Sequence, residues 1–333
     1  MDRLKVIMIS FAHQHAISYF HALQKNEHAE IVAIADEAEE RVREFTAPHG
    51  IPYYADYREA LKLDADAVVI CAENVRHEPI VIEAAKAGKH ILCEKPLGTT
   101  AEGMRRMIDA CKAHNVQLMT AFPCRYLPAV QQAKRSVERG DIGEIIAMNG
   151  TNRGTMPGKW FIQRELSGGG AVLDHTVHVM DLMHWFTGAV AKSVYAHAET
   201  LFHPIDIDDA GMVHVTFDNG VAAVLDPSWS RLKSFPTWGD VTLEIVGTKG
   251  VIRIDALNSI NEVYANDVDH AIWSYYGDNM DEAMINDFVD CILNGRPVPI
   301  TGEDGMRAAM VALAAYESAA KGRVVDIDGA AIV

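Results

Sequence analysis

The chain is poor in paired cysteines, in long apolar runs, in positive charge, and in glycine where a phosphate-binding loop would need it. Its five cysteines, Cys71, Cys93, Cys111, Cys124 and Cys291, are odd in number and none stands in a CxxC spacing. A disulfide framework is not expected, and a reducing compartment, the cytoplasm, is. No apolar stretch reaches the roughly 18 residues of a membrane span. The opening Met1-Asp2-Arg3-Leu4-Lys5 leads into a short apolar run without a signal-type cleavage pattern. Lys and Arg number 30 against 46 Asp and Glu, a formal net charge of −16. Nucleic acid and anionic membranes need clustered positive charge, so neither is an expected partner, whereas a small anionic cofactor stays compatible with local fields.

What is present suits a soluble globular protein. The 333 residues allow two domains, and 49% hydrophobic with 23% charged content is ordinary. Apolar, β-branched-rich runs at 4–10, 30–35, 51–54, 67–71, 90–93 and 116–121 predict buried strands, separated by helical patterns at 17–23, 39–45, 80–87 and 101–114. Strands alternating with helices of this size imply a Rossmann-type, doubly wound parallel sheet over residues 1–122. After Pro123 the rhythm changes. A helix at 129–139 and a glycine-bearing loop lead to a helix carrying Asp174, followed by strands with two-residue alternation at 190–199, 212–217, 221–228, 241–246 and 251–254. Asp218-Asn219-Gly220 and Gly247-Thr248-Lys249-Gly250 fit hairpin connectors. With helices at 281–293 and 305–320, residues 123–333 read as an α+β domain with a large, open, mainly antiparallel sheet.

In a dinucleotide fold the first strand-to-helix turn approaches a pyrophosphate. Here the G-x-G-x-x-G positions fall on Ser10, Ala12 and His15. Serine and alanine are small enough for the turn; His15 is not, so the helix packs differently there. Asp36 ends the second strand about 20 residues further on, where an acidic side chain accepts hydrogen bonds from a ribose 2′-OH. No Lys or Arg stands immediately beside it to take a 2′-phosphate, which favours NAD over NADP. His13-Gln14-His15 also fits the H-x-H of metal-dependent hydrolases on TIM barrels, but the later antiparallel pattern does not suit eight βα units. No metal is expected, and His13 and His15 are assigned toward the cofactor or substrate.

Lys95, between Glu94 and Pro96 at the end of the fifth strand, and Asp174 with His178 one helical turn apart, are the groups that acid–base chemistry on a hydroxyl-bearing carbon needs. Proline fixes φ and removes a donor, ending the strand with Lys95 at its carboxyl edge, where ligands bind in open α/β sheets. Histidine titrates near the working pH. These features point to a nicotinamide-dependent oxidoreductase. In Asp36, Ala72-x-Asn74-x-x-His77, Ala84-Ala85-x-Ala87-Gly88-Lys89-His90-x-x-x-Glu94-Lys95-Pro96, Gly140-x-Ile142-Gly143 and Gly168-Gly169-Gly170-x-x-x-Asp174-His175-x-x-His178-x-x-Asp181, the chain resembles the glucose–fructose oxidoreductase / inositol dehydrogenase / rhizopine catabolism (Gfo/Idh/MocA) family over essentially its whole length.

The resemblance implies hydride transfer between a nicotinamide and a secondary alcohol or carbonyl of a sugar, polyol or inositol, with Lys95, Asp174 and His178 as the catalytic group. It also implies a homodimer or homotetramer built through the C-terminal sheet. On physical grounds His178 is expected to act as base in the oxidation direction, Asp174 to hold a substrate hydroxyl, and Lys95 to hydrogen-bond the reacting oxygen. Asn74, His77 and Glu94 are expected to line the cofactor, and Arg125, Arg153, Trp160 and His175 the substrate. Competing readings are a relative using NAD transiently for elimination or glycoside cleavage, a non-catalytic NAD-binding regulator, and the metal-dependent hydrolase.

Overall fold

The structure, a computed structural model, describes residues 3–235, 237–263, 266, 269, 272–275 and 279–327. It divides into two compact units, Met1–Pro123 with Asp281–Met306, and Cys124–Met280 with Arg307–Val333. The first boundary lies one residue from the expected one. The sequence reading assigned 281–306 to the second domain, whereas its contacts place it with the first.

In the first unit β1 (Leu4–Ile9), α1 (His15–Lys25), β2 (Ala29–Ala35), α2 (Glu39–Thr46), β3 (Tyr53–Tyr54), α3 (Tyr57–Ala60), β4 (Ala67–Ile70), α4 (His77–Lys86), β5 (His90–Cys93), α5 (Ala101–Ala113) and β6 (Leu118–Thr120) follow one another. The strands form one sheet in the order β3-β2-β1-β4-β5-β6, every neighbouring pair parallel. Helices cover both faces of such a sheet, so β4 (AVVI) is buried at every residue and reads as a continuous apolar run, not an alternation. Strand order reverses between β1 and β4, and the crevice at their carboxyl ends is where ligands bind in this architecture. Phe11, just past β1, plugs against Phe20 of α1 and Phe45 of α2, with ring centroids 6.5 and 4.9 Å away. The 281–306 segment closes on this unit: Lys25 pairs with Glu282 at 2.9 Å and Thr120 N–H donates to Ile300 O at 3.1 Å.

The second unit holds α6 (Pro128–Glu138), β7 (Ile145–Thr151), α7 (Arg164–Ser167), α8 (Ala171–Thr187), β8 (Ala191–Glu199), β9 (Ala210–Phe217), β10 (Ala222–Asp226), β11 (Thr242–Gly247), β12 (Val251–Asp255), β13 (Ile260–Val263) and β14 (Ile272–Tyr275). The chain goes on through α9 (Met280–Leu293), then α10 (Gly302–Lys321) and β15 (Val325–Asp326). Seven strands form a sheet in the order β12-β11-β7-β10-β9-β8-β15, antiparallel except for β7 beside β10. The interior strand β7, third in this order, was not anticipated. Both hairpin connectors are in place: Gly220 takes φ 87° and Gly247 N–H donates to Gly250 O at 2.8 Å. α8 packs on one face of this sheet against β7, β9 and β10.

Candidate active site

The first unit's candidate residues lie at the carboxyl ends of its strands, most of them after β1, β4 and β5. Ser10 turns the chain with φ 66°, the left-handed region that glycine occupies in other loops, and its hydroxyl accepts from Ala12 N–H at 3.2 Å. Phe11 N–H donates to Asp36 Oδ2 at 2.7 Å and Ala38 N–H to Asp36 Oδ1 at 2.8 Å, so the β2-end carboxylate fixes the first turn. Arg41 Nη1 lies 3.4 Å from Asp36 Oδ2. It stands five residues on, beyond the immediate neighbours considered from sequence.

His13 N–H donates to Cys71 O at 2.9 Å, tying the loop to the end of β4. His15, in place of the third glycine, reaches across to Glu94: Nδ1 and Oε1 are 3.0 Å apart. Glu94 Oε2 accepts from Lys95 N–H at 2.9 Å. Burial alone would raise the Glu94 pKa, but His13, His15 and Lys95 hold it well below the usual carboxylate range. Burial likewise depresses His15, and the Glu94 charge more than reverses that, leaving it raised. Lys95 is buried at the strand end, before a cis peptide to Pro96. His77 was expected to line the cofactor. It has no exposed surface, and its two ring nitrogens face Pro96 O at 3.0 Å and Ala72 O at 3.1 Å. Burial lowers its pKa against the backbone carbonyls, which raise it; the ring bridges the ends of β4 and β5 beside the Lys95–Pro96 turn. Asn74 is buried where a short 3₁₀ turn follows β4.

The second unit's acid–base candidates lie on α8. Every residue from Ala171 to His184 is buried. Asp174 and His178 therefore do not sit on a solvated stripe opposite an apolar one; they are polar groups on a helix enclosed all round, one turn apart. Trp229 Nε1 donates to Asp174 Oδ2 at 3.2 Å and sets that carboxylate's orientation. His175 donates from Nδ1 to Asn152 O at 2.8 Å and turns Nε2 to within 3.3 Å of Asp174 Oδ2. It braces Asp174, and its contacts are protein groups. The start of α8 is clamped. Asp208 accepts from Gly170 N–H at 3.0 Å and Val172 N–H at 2.8 Å, and Tyr316 Oη accepts from Gly170 and Leu173 N–H groups at 2.9 and 3.1 Å. A Cβ on Gly170 would lie 2.0 Å from Asp208 O, which is why this loop is glycine.

The remaining substrate candidates separate. Arg125 grips Asp181 bidentately, at 2.7 and 2.5 Å, in a buried ion pair that ties α8 to the turn before α6. Trp160 is buried and stacked on Phe161 at 3.9 Å. Both are anchors in this structure. Arg153 is 35% exposed and shares Asp240 with Arg231. Two guanidinium groups on one carboxylate suit a polar or anionic substrate group. Trp229, Asp208, Tyr316 and Arg231 escaped the sequence reading because they come from distant segments without motif spacing.

Residues 6–122 match the oxidoreductase family with an NAD-binding Rossmann fold, and residues 130–253 the GFO/IDH/MocA C-terminal domain. The chain is 30% identical to a myo-inositol 2-dehydrogenase of Thermotoga maritima over 312 residues, 90% of this chain and 91% of that one. It is also 30% identical to a D-xylose 1-dehydrogenase [NADP(+)] of Haloarcula marismortui over 220 residues, 63% of this chain and 59% of that one. The structure of GenD2 from gentamicin A biosynthesis in complex with NAD superposes with TM-score 0.90 at 25% identity, covering 99% of this chain and 97% of that one.

Proposed function

The chain belongs to the GFO/IDH/MocA family of oxidoreductases with an NAD-binding Rossmann fold, and from that premise we propose that it is an NAD-preferring dehydrogenase. Its substrate is a secondary alcohol of a sugar, polyol or inositol. The observation that carries this reading is the enclosed Asp174 and His178 on α8, with Asp174 oriented by Trp229. Placing an ionisable carboxylate and an imidazole inside a helix without solvent is costly and suits a proton-transfer role.

The first unit fits a dinucleotide: the strand order opens a crevice at β1 and β4, the turn at Ser10 and Ala12 is compact, and Asp36 ends β2. NAD supplies the hydride acceptor. Asp36, at the end of β2, is assigned to a ribose hydroxyl and opposes a 2′-phosphate by like charge, while Arg41 is held by Asp36. In oxidation His178 takes the hydroxyl proton, Lys95 hydrogen-bonds the oxygen and stabilises its alkoxide character, and Asp174 orients a neighbouring hydroxyl. A cytoplasmic home fits five buried thiols. Association through the second unit's sheet, as a dimer or tetramer, completes the proposal.

Purified protein should form NADH with at least one member of a panel of sugars, inositols and sugar acids, with a lower kcat/KM when NADP replaces NAD. On that substrate Lys95→Met and His178→Ala should each lower kcat by about 10²-fold or more. Wild-type turnover in either variant refutes the assigned chemistry; turnover without net NADH would instead mark a transient use of NAD.

A further inference from the structure

We propose that His13, His15 and Glu94 form a binding site for one divalent transition-metal ion of the Zn²⁺ class. One donor atom from each residue lies within 4.8 Å of the other two. Tetrahedral coordination with bonds of about 2.1 Å needs donors roughly 3.4 Å apart, a contraction within reach of small imidazole rotations. His15 Nδ1 already stands 3.0 Å from Glu94 Oε1, and the two imidazoles meet edge-on, 4.3 Å between centroids at 61°. Two imidazoles and a carboxylate are the protein ligands of open zinc sites, whose fourth position takes water or another oxygen donor.

The surroundings support a cation there. Main-chain contacts fix the ligands: His13 N–H donates to Cys71 O at 2.9 Å, Glu94 N–H to Ile70 O at 3.0 Å and Lys95 N–H to Glu94 Oε2 at 2.9 Å, while His15 N–H donates to His13 Nδ1 at 3.2 Å. Such contacts orient ligands and raise affinity. Asp281 adds negative charge close enough to act on His15, and its buried Oδ1 has no hydrogen-bond partner among the described residues. That charge counters the Lys95 ammonium, which opposes a cation.

The site is separable from the proposed enzymatic function because binding is measured without nucleotide or substrate. Full-length protein treated with EDTA and dialysed is titrated with ZnCl₂ in a calorimeter, and with CoCl₂ by visible absorption. One Zn²⁺ per chain is expected, with cobalt bands of a low-coordinate nitrogen–oxygen site. His15→Gln and His13→Gln should each weaken Zn²⁺ by about tenfold or more. His15→Gln removes the ion-pair partner of buried Glu94, so the melting temperature of each metal-free variant is measured beside the titration, and affinities are compared only below the onset of unfolding. No stoichiometric binding, or equal affinity in wild type and both variants, overturns the site.

Discussion

At the scale of single residues the five cysteines show how burial sets chemistry. All are buried; burial pushes the Cys111 thiol up to about 12 and Cys291 to about 11, and Cys71 and Cys93 are raised well above 9.0. A thiol whose folded pKa lies above its unfolded value favours the native state fully below the unfolded pKa, and that contribution is lost as pH rises through the folded one. Unfolded thiols ionise near 9.0, so native stability should fall from about pH 9 upward. The native protein should stay inert to a thiol reagent at pH 8 and react only when denatured. Rapid labelling of the native state would contradict the burial. The absence of CxxC spacing made the free cysteines legible, as the Glu94-Lys95-Pro96 context did for the place of Lys95 just past the end of β5. Arg41, Trp229 and Asp281 were not legible: each gains its place from a contact over five or more residues of chain, which no local spacing encodes.

At the scale of elements, strands of the first unit were readable because a parallel sheet covered on both faces needs unbroken apolar runs, and each run is bounded by a helix. β7 was missed because its sequence, IIAMNGT, neither alternates nor stays apolar; neighbours on both sides, β10 and β11, supply its pairing. α8 was found with Asp174 and His178 one turn apart, and the structure encloses every residue from Ala171 to His184. The clamp at its start explains the Gly168-Gly169-Gly170 run physically. Gly170→Ala would drive a Cβ to 2.0 Å from Asp208 O, and overpacking of this kind costs about 1–3 kcal/mol. Its urea midpoint should drop and its kcat should fall with it, because displacing the first turn of α8 moves Asp174. An unchanged midpoint would show that the glycine is not required by packing.

At the scale of the whole molecule, the second unit's sheet has one face against α8 and another left to solvent by the described residues of this chain. On that outer face Met212, His214 and Thr216 of β9 and Ala222 of β10 are exposed, with His214 opposite half-buried Val224. An antiparallel sheet tolerates water on one side, so exposure alone does not decide the matter. The argument is composition: Met212, Val224 and Val246 are apolar residues on this surface, set among polar groups that include the Glu244–Arg253 pair, the mixture of an interface between subunits. A second copy meeting this face by a two-fold axis would bury the same residues on both sides. Light scattering behind a sizing column should therefore give a mass of two or four chains. Met212→Glu combined with Val224→Glu places carboxylates on adjacent strands of that face, and like charges facing their symmetry mates should return the mass of one chain while leaving the fold's circular dichroism unchanged. A wild-type monomer, or an oligomer indifferent to both substitutions, would move the association surface elsewhere.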